Sequence, residues 1–303
     1  MSIWLIAFCT ALLVTQMAIA AGLLDVSQSR QLASSGSLSG AVIGGLMFGA
    51  GMILARGCAS RLLVLSATGN LRALVSGLVV TLVAQASLTG VLAPLRERLA
   101  MVATVDGGTA RDLLALSGLS RSSIVLLATL GLLAAIWLAA RRRVEGARIV
   151  AGALLGATVA LGWGLTFAIS NTSFEVVPIG SVAFTGPSTD TLMTLITSRD
   201  IALNFGIGLV PGDFVGSMVM AVSTREWLVQ RFEPSTPMER YIAGAVLMGF
   251  GAMLAGGCAL GAGVSGGAVL SLTAWVAVGS MWLGALASQL VLASGRPRSP
   301  GPA

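Results

Sequence analysis

GGLMFGAGMILARGCA at residues 44–59 and GAVLMGFGAMLAGGCA at residues 244–259 overlay at an offset of 200 residues. Gly44, Gly49, Gly51, Leu54, Ala55, Gly57, Cys58 and Ala59 each meet their own residue type in the second copy. Eight identities in sixteen positions compare with about two expected in a chain this rich in Gly, Ala and Leu, so the two stretches read as an internal repeat. The shared pattern is G-x-G-x5-G-C. Thr68-Gly69-Asn70 follows it in one copy and Ser265-Gly266-Gly267 in the other, after segments of slightly different length.

Around these motifs the chain is apolar. Of its 303 residues, 55% are hydrophobic and 10% charged, and its mean hydropathy is +0.92. Soluble domains carry about a quarter charged residues, so the composition predicts a membrane protein. Apolar runs of spanning length fall near 3–24, 38–56, 70–92, 122–140, 148–170, 203–223, 239–256 and 269–293. Each must be helical, because hydrocarbon offers the backbone no other hydrogen-bond partners. The expected fold is therefore all-α, with about eight spanning helices in one integral membrane unit. Residues 1–145 form a first half with its motif at 44–71, and residues 146–303 a second half with its motif at 244–272. The motifs sit on the second and seventh runs, an odd number of spans apart, so they cross the membrane in opposite directions. Inverted repeats with glycine-interrupted helices point to a transport site between the halves.

All eighteen cations are arginine; lysine and histidine are absent. Twelve arginines fall on the side of the N-terminus and six on the other: Arg30, Arg96, Arg98, Arg111, Arg121 and Arg199. The positive-inside rule then places both termini in the cytoplasm. The run Arg141-Arg142-Arg143 reads as an orientation signal and headgroup contact. The first run has a cleavage-like Ala18-Ile19-Ala20 but lacks a basic leader, and is expected to remain as a helix. The outward segments 94–121 and 171–202 are long enough to hold short surface helices or gates.

The missing residues exclude chemistry. Without His there is no ordinary general base or metal triad, and without Lys no Schiff base or P-loop lysine. The arginines form no aromatic-interleaved basic patch, so nucleic acid is not an expected partner. The composition points to neither an enzyme nor a cofactor. Cys9, Cys58 and Cys258 are an odd number in apolar surroundings and do not read as a disulfide framework. Three cysteines alone fix no metal geometry, so no metal site is expected.

The motif glycines have two readings. They could be close helix packing, or they could break the helix at Gly57-Cys58 and at Gly256-Gly257-Cys258. A break frees backbone N–H groups, and the half-helix that follows directs partial positive charge at an anion. Repetition of both break and cysteine favours the second reading. An apolar setting disfavours a thiolate, and a neutral S–H is a weak donor on a polarizable atom. It can hold a soft anion without trapping it, which conduction requires. Candidate pathway residues are Cys58, Cys258, Gly57 and Gly257, with Cys9 in the first helix. Asn171, Glu175 and Asp213, near span ends, read as solvated or capping residues. Gln85 and Gln289 are polar groups within spans.

GLMFGAGMILARGCASRLLVLSATGNL (45–71) and GAVLMGFGAMLAGGCALGAGVSGGAVLSL (244–272) resemble the signature segments of the YeeE/YedE sulfur-transport family. FTGPSTDTLM (184–193) and NFGIGLVPGDFVGS (204–217) are similar to its middle part. The resemblance implies a multi-pass protein of the bacterial inner membrane with a pseudo-symmetric, hourglass-like helical architecture and cysteines along the central path. Cys58 and Cys258 match the motif cysteines, and Cys9 is a third candidate. Arg56 stands where the motif is often Gly or another small residue. The implied activity is uptake of thiosulfate or a related sulfur-containing anion, handed on to a cytoplasmic sulfur-carrier or rhodanese-like protein. The competing expectation is a membrane thiol redox or sulfur-transfer protein, which would need a reactive cysteine.

Overall fold

The computed structural model describes residues 2–174, 177–197, 204–231 and 238–294. The chain is an all-α, polytopic membrane protein. Its long helices are α1 (Ser2–Ala20), α3 (Leu38–Ala55), α5 (Leu71–Leu88), α8 (Arg121–Arg141), α9 (Gly146–Thr172), α11 (Phe205–Ser223), α12 (Met238–Ala255) and α13 (Leu272–Ser294). Shorter helices fill the connections: α2 (Arg30–Ala33), α4 (Ala59–Ala67), α6 (Ala93–Ala100), α7 (Leu113–Ser117) and α10 (Thr185–Thr197). α6 and α7 lie in the long connection between α5 and α8, and α10 in that between α9 and α11. Among the described residues, seven segments are long and apolar enough to cross a membrane: α1, the α3–α4 unit, α5, α8, α9, α11 and α13. The eighth expected run is α12, whose first turn carries Glu239 and Arg240.

Side-chain caps fix where these helices begin. Ser37 Oγ accepts the Gly40 N–H at 2.7 Å, Asn70 Oδ1 the Ala73 N–H at 3.0 Å and Asn204 Oδ1 the Ile207 N–H at 2.9 Å. The outer surface is apolar. On α8, Leu126, Leu127, Leu130 and Leu133 all face outward, as a lipid-bathed helix requires.

The centre of the protein is a seam between α3 and α12 built of backbone. A Cβ on Gly44 would lie 2.5 Å from Ala255 N and 2.6 Å from Gly251 O, and one on Gly244 2.7 Å from Ala55 N and 2.8 Å from Gly51 O. Gly51 in turn faces Gly244 O and Gly251 faces Gly44 O. The contacts are reciprocal, so the helices run antiparallel, each copy of the motif lying against the other. Only glycine allows backbones this close. The next layer repeats the pattern: Gly49 packs on Met281 and Ala285 of α13, and Gly249 on Val80 and Ala84 of α5.

Both seam helices stop at the same point of the motif. Arg56 caps α3 with φ 56°, and Gly256 has φ 80° after α12. Gly57 N–H donates to Met52 O at 3.0 Å, and Gly257 N–H to Ala252 O at 2.9 Å. These are matching Schellman-type ends, in which a left-handed residue lets the last carbonyls be satisfied. The paired stretch from Gly44 to Ala55 is roughly 16 Å long at the α-helical rise, so the two cysteine turns lie at opposite ends of the seam.

Beyond the cysteines the copies diverge. The first continues as the regular helix α4, whereas the second adopts a π-helical turn over Gly261–Gly266, with Ser265 N–H reaching Leu260 O. The structural counterpart of Asn70 in the second copy is Ser271, not the Ser265-Gly266-Gly267 run that follows the motif in sequence. Each precedes a long helix, and each forms an isolated bridge, Asn70 with Gln230 and Ser271 with Asp112. The offset has grown from 200 to 201. The π-turn absorbs the one extra residue, as such bulges do.

Candidate functional site

The half-exposed Cys58 is the N-cap of α4, and its Sγ lies 3.2 Å from Ser60 Oγ. Cys258 is buried at 2% exposure, and its Sγ accepts the Gly261 N–H at 3.4 Å. Its turn is pinned from several sides. Ser265 Oγ donates to Val182 O at 2.6 Å, Gln16 Nε2 to Ala268 O at 2.8 Å and Ser271 Oγ to Gln31 O at 3.0 Å. A Cβ at Gly257 would sit 3.0 Å from Ala262 N, so that turn needs glycine; at Gly57 it would meet only the flexible Arg61 side chain, at 3.3 Å.

Above Cys258 opens a polar vestibule of about 400 Å³. The α12 end and the Gly256-Gly257-Cys258 turn form one wall; Arg30, Arg96 and Arg111, with Asp190, supply its charges. Distant segments are drawn together to make it. β1 (Gly36–Ser37) pairs antiparallel with β2 (Thr104–Val105), and Ser37 Oγ and Ser39 Oγ donate to Ala100 O and Leu99 O at 2.6 and 2.7 Å. Leu113 N–H donates to Leu270 O at 3.0 Å. These ties hold the 3₁₀ turn Gly108–Arg111 against the start of α13.

Arg111 is buried at 7% exposure. Its Nη1 donates to Ser34 O at 2.6 Å and Arg30 O at 3.3 Å, and its Nη2 to Thr273 Oγ1 at 2.6 Å. Its Nε has no partner among the described residues. Burial, and after it the Arg30 charge, pull this guanidinium below its ordinary pKa. At the rim, burial raises the Asp190 carboxyl while Arg30 pulls it back down.

The other end of the seam is different. Arg72 stacks on the Tyr241 ring at 4.5 Å, and Arg240 donates to Ile53 O at 3.3 Å. An apolar cavity of about 230 Å³ lies among α4, α5, α10 and α11, with Ala59, next to Cys58, in its wall.

The remaining candidates lie elsewhere. Cys9 faces α8, its Sγ 3.2 Å from where a Gly131 Cβ would be, and it lines neither cavity. Gln85 donates to Thr89 Oγ1 at 3.0 Å, and Gln289 is exposed on α13. Asn171 is exposed near the end of α9, and Asp213 lines an open cleft between α4 and α11. Glu175, Arg199, Arg296 and Arg298 lie outside the described residues. Among the described residues, no three His, Cys, Asp or Glu side chains converge as a metal ion would need. The vestibule arginines had been counted in the sequence only as orientation charges. Their place in the arginine-poor loops was the available signal.

A family model described as sulphur transport matches residues 1–287. Over 135 residues the chain is 33% identical to the thiosulfate transporter TsuA of Escherichia coli strain K12, a stretch that covers 45% of this chain. The match spans 36% of that relative's length. The family match runs through both cysteine turns and the loops that build the vestibule, and on it this chain belongs to the sulphur transport family, the YeeE/YedE group.

Proposed function

We propose that this chain is a permease for thiosulfate or a related sulfur-containing anion, and that the anion passes between Cys258 and Cys58 by S–H hydrogen bonds. The observation that carries this reading is the placement of two equivalent cysteine turns at opposite ends of one antiparallel seam, one of them opening on an arginine-lined vestibule. Membership of the sulphur transport family and the partial likeness to a thiosulfate transporter support it.

In this scheme the anion leaves water through the vestibule and meets the thiol of Cys258. The α4 N-terminus beyond Cys58 supplies positive potential along the way. A neutral S–H donates weakly to oxygen or sulfur, so each station releases its ion to the next. No covalent bond forms or breaks. Gly57 and Gly257 keep the turns compact, and Cys9, which faces α8 and lines neither cavity, stands apart from the path. The arginine bias puts the vestibule outside an inner membrane and both termini in the cytoplasm. A cytoplasmic sulfur-carrier or rhodanese-like protein is the proposed acceptor.

Growth on thiosulfate as sole sulfur source, in a host lacking its own uptake system, tests the scheme. Wild type restores growth, and Cys58→Ala and Cys258→Ala at equal membrane abundance do not. Wild-type growth of both variants would overturn the relay. Mass spectrometry after thiosulfate exposure separates it from sulfur-transfer chemistry. A permease leaves the thiols unmodified, and a persulfide on either cysteine would favour the thiol-enzyme reading.

A further inference from the structure

Arg111 is a buried cation without a buried anion. Among the described residues its hydrogen-bond acceptors are two carbonyls and the Ser34 and Thr273 hydroxyls, all neutral. The ion pairs formed among those residues are Arg96 with Glu97 and Arg148 with Glu145, and neither includes Arg111 or Arg30. Arg96 Nε is likewise buried and unpartnered. A guanidinium has five N–H donors in a planar fork, and the Nε of Arg111, buried against Gly36, has no partner among the described residues. Burial of an unpaired charge is costly, so a site that retains one is built for a mobile counter-ion.

The surroundings keep the guanidinium in place. A Cβ on Gly36 would lie 2.6 Å from Arg111 Nε and 2.7 Å from its Cζ, so only glycine at this point of β1 admits the group. Arg30, Arg96 and Arg111 line the vestibule with one carboxyl group, Asp190; with Arg96 paired to Glu97, Arg30 and Arg111 leave an excess of one positive charge.

We infer that the vestibule contains an oxyanion subsite centred on Arg111, with Arg30 and Arg96 beside it, which binds small divalent oxyanions by charge before any thiol is reached. The subsite rests on the permease reading for its purpose but not for its chemistry. It separates two filters. Arg111 selects for charge and oxygen, and Cys258 then selects for a soft sulfur atom. Sulfate satisfies the first filter and not the second, so it occupies the subsite and competes with thiosulfate without being carried.

The test uses the purified full-length protein at constant ionic strength, with radiolabelled sulfate as probe and thiosulfate and methanesulfonate as competitors. Wild type binds sulfate, thiosulfate displaces it, and the monovalent methanesulfonate is a poor competitor. Arg111→Gln weakens binding about tenfold or more, the factor expected when a charge-assisted hydrogen bond is lost. Arg111→Lys retains most of the binding, and Gly36→Ala, which leaves every charge in place, weakens it by displacing the guanidinium. Should Arg111→Gln fail to fold, Gly36→Ala and Arg96→Gln carry the same comparison. Sulfate binding unchanged in the folded variants overturns the subsite, as does equal competition by methanesulfonate. Thiosulfate uptake distinguishes the two ideas. A wild type that binds sulfate through Arg111 yet carries no thiosulfate breaks the permease reading alone. A wild type that carries thiosulfate with a KM that Arg111→Gln leaves unchanged breaks the subsite alone.

Discussion

The turn at Gly57-Cys58 and the turn at Gly257-Cys258 share a backbone and differ in everything around it. Both follow a left-handed residue, both return an N–H to the carbonyl five residues back, and both close a helix of the same seam. Yet Cys58 is half-exposed next to a serine and opens a regular helix, whereas Cys258 is buried, accepts a backbone N–H and opens a π-turn. One has an apolar cavity nearby and the other an arginine-lined vestibule. The repeat thus preserves the path of the chain and frees the neighbourhoods to diverge. In the proposed permease, selection belongs to the vestibule end and release to the other.

The largest effects should come where the copies are most alike. Gly44→Val and Gly244→Val each drive a side chain into the opposing backbone, costing about 3 kcal/mol or more. Folded protein recovered from membranes should fall sharply, and equally, for both. A large inequality would break the equivalence of the two copies.

Cysteine replacement should separate the turns. Cys258→Ala is expected to lower thiosulfate uptake about tenfold or more and also to reduce thermal stability, since the buried Gly261 N–H loses its acceptor, at about 1 kcal/mol. Cys58→Ala should lower uptake with little change in melting temperature. Unfolding scans alongside transport assays check both halves of the contrast.

The capping residue offers a smaller and opposite pair. Arg56 occupies a left-handed conformation that costs a non-glycine residue about 1 kcal/mol, so Arg56→Gly should stabilise by about that amount. Gly256→Ala should cost as much, because nothing lies within 4 Å of the added Cβ and only the backbone resists. Denaturation midpoints would show whether the two positions are interchangeable.

The smallest effect concerns pH. Burial holds the Asp190 carboxyl above its ordinary pKa, so it takes up a proton earlier than a solvated carboxylate as pH falls. Protonation removes the negative charge that opposes Arg30 and Arg111 in the vestibule, and sulfate binding should tighten modestly on acidification. Asp190→Asn should bind more tightly near neutrality and flatten that dependence.

Much of the architecture was legible because membrane helices announce themselves by length and apolarity, and because the repeat aligns without gaps as far as Ala59. The break after Ala55 was legible from Gly57 and Cys58 recurring at a fixed offset. What followed was not. One additional residue before Ser271 shifts the pairing, and no local preference marks where a π-turn will absorb it. The vestibule was hidden for a different reason. Arg30, Arg96 and Arg111 belong to three separate segments, and tertiary ties such as the β1–β2 pairing and the Asp112–Ser271 bridge make them neighbours. Helical periodicity carries no information about such meetings.

The glycine seam bears on how such a carrier could move. Side chains at an interface can change rotamer and let two helices slide or rock, but Gly44, Gly51, Gly244 and Gly251 have no rotamers to change. Backbone locked against backbone acts as a keel, fixed in both pitch and register. Any opening and closing is therefore left to the short segments hung from its two ends. In the proposed permease, a cycle built on parts that small would be closer to a latch than to a rocking domain.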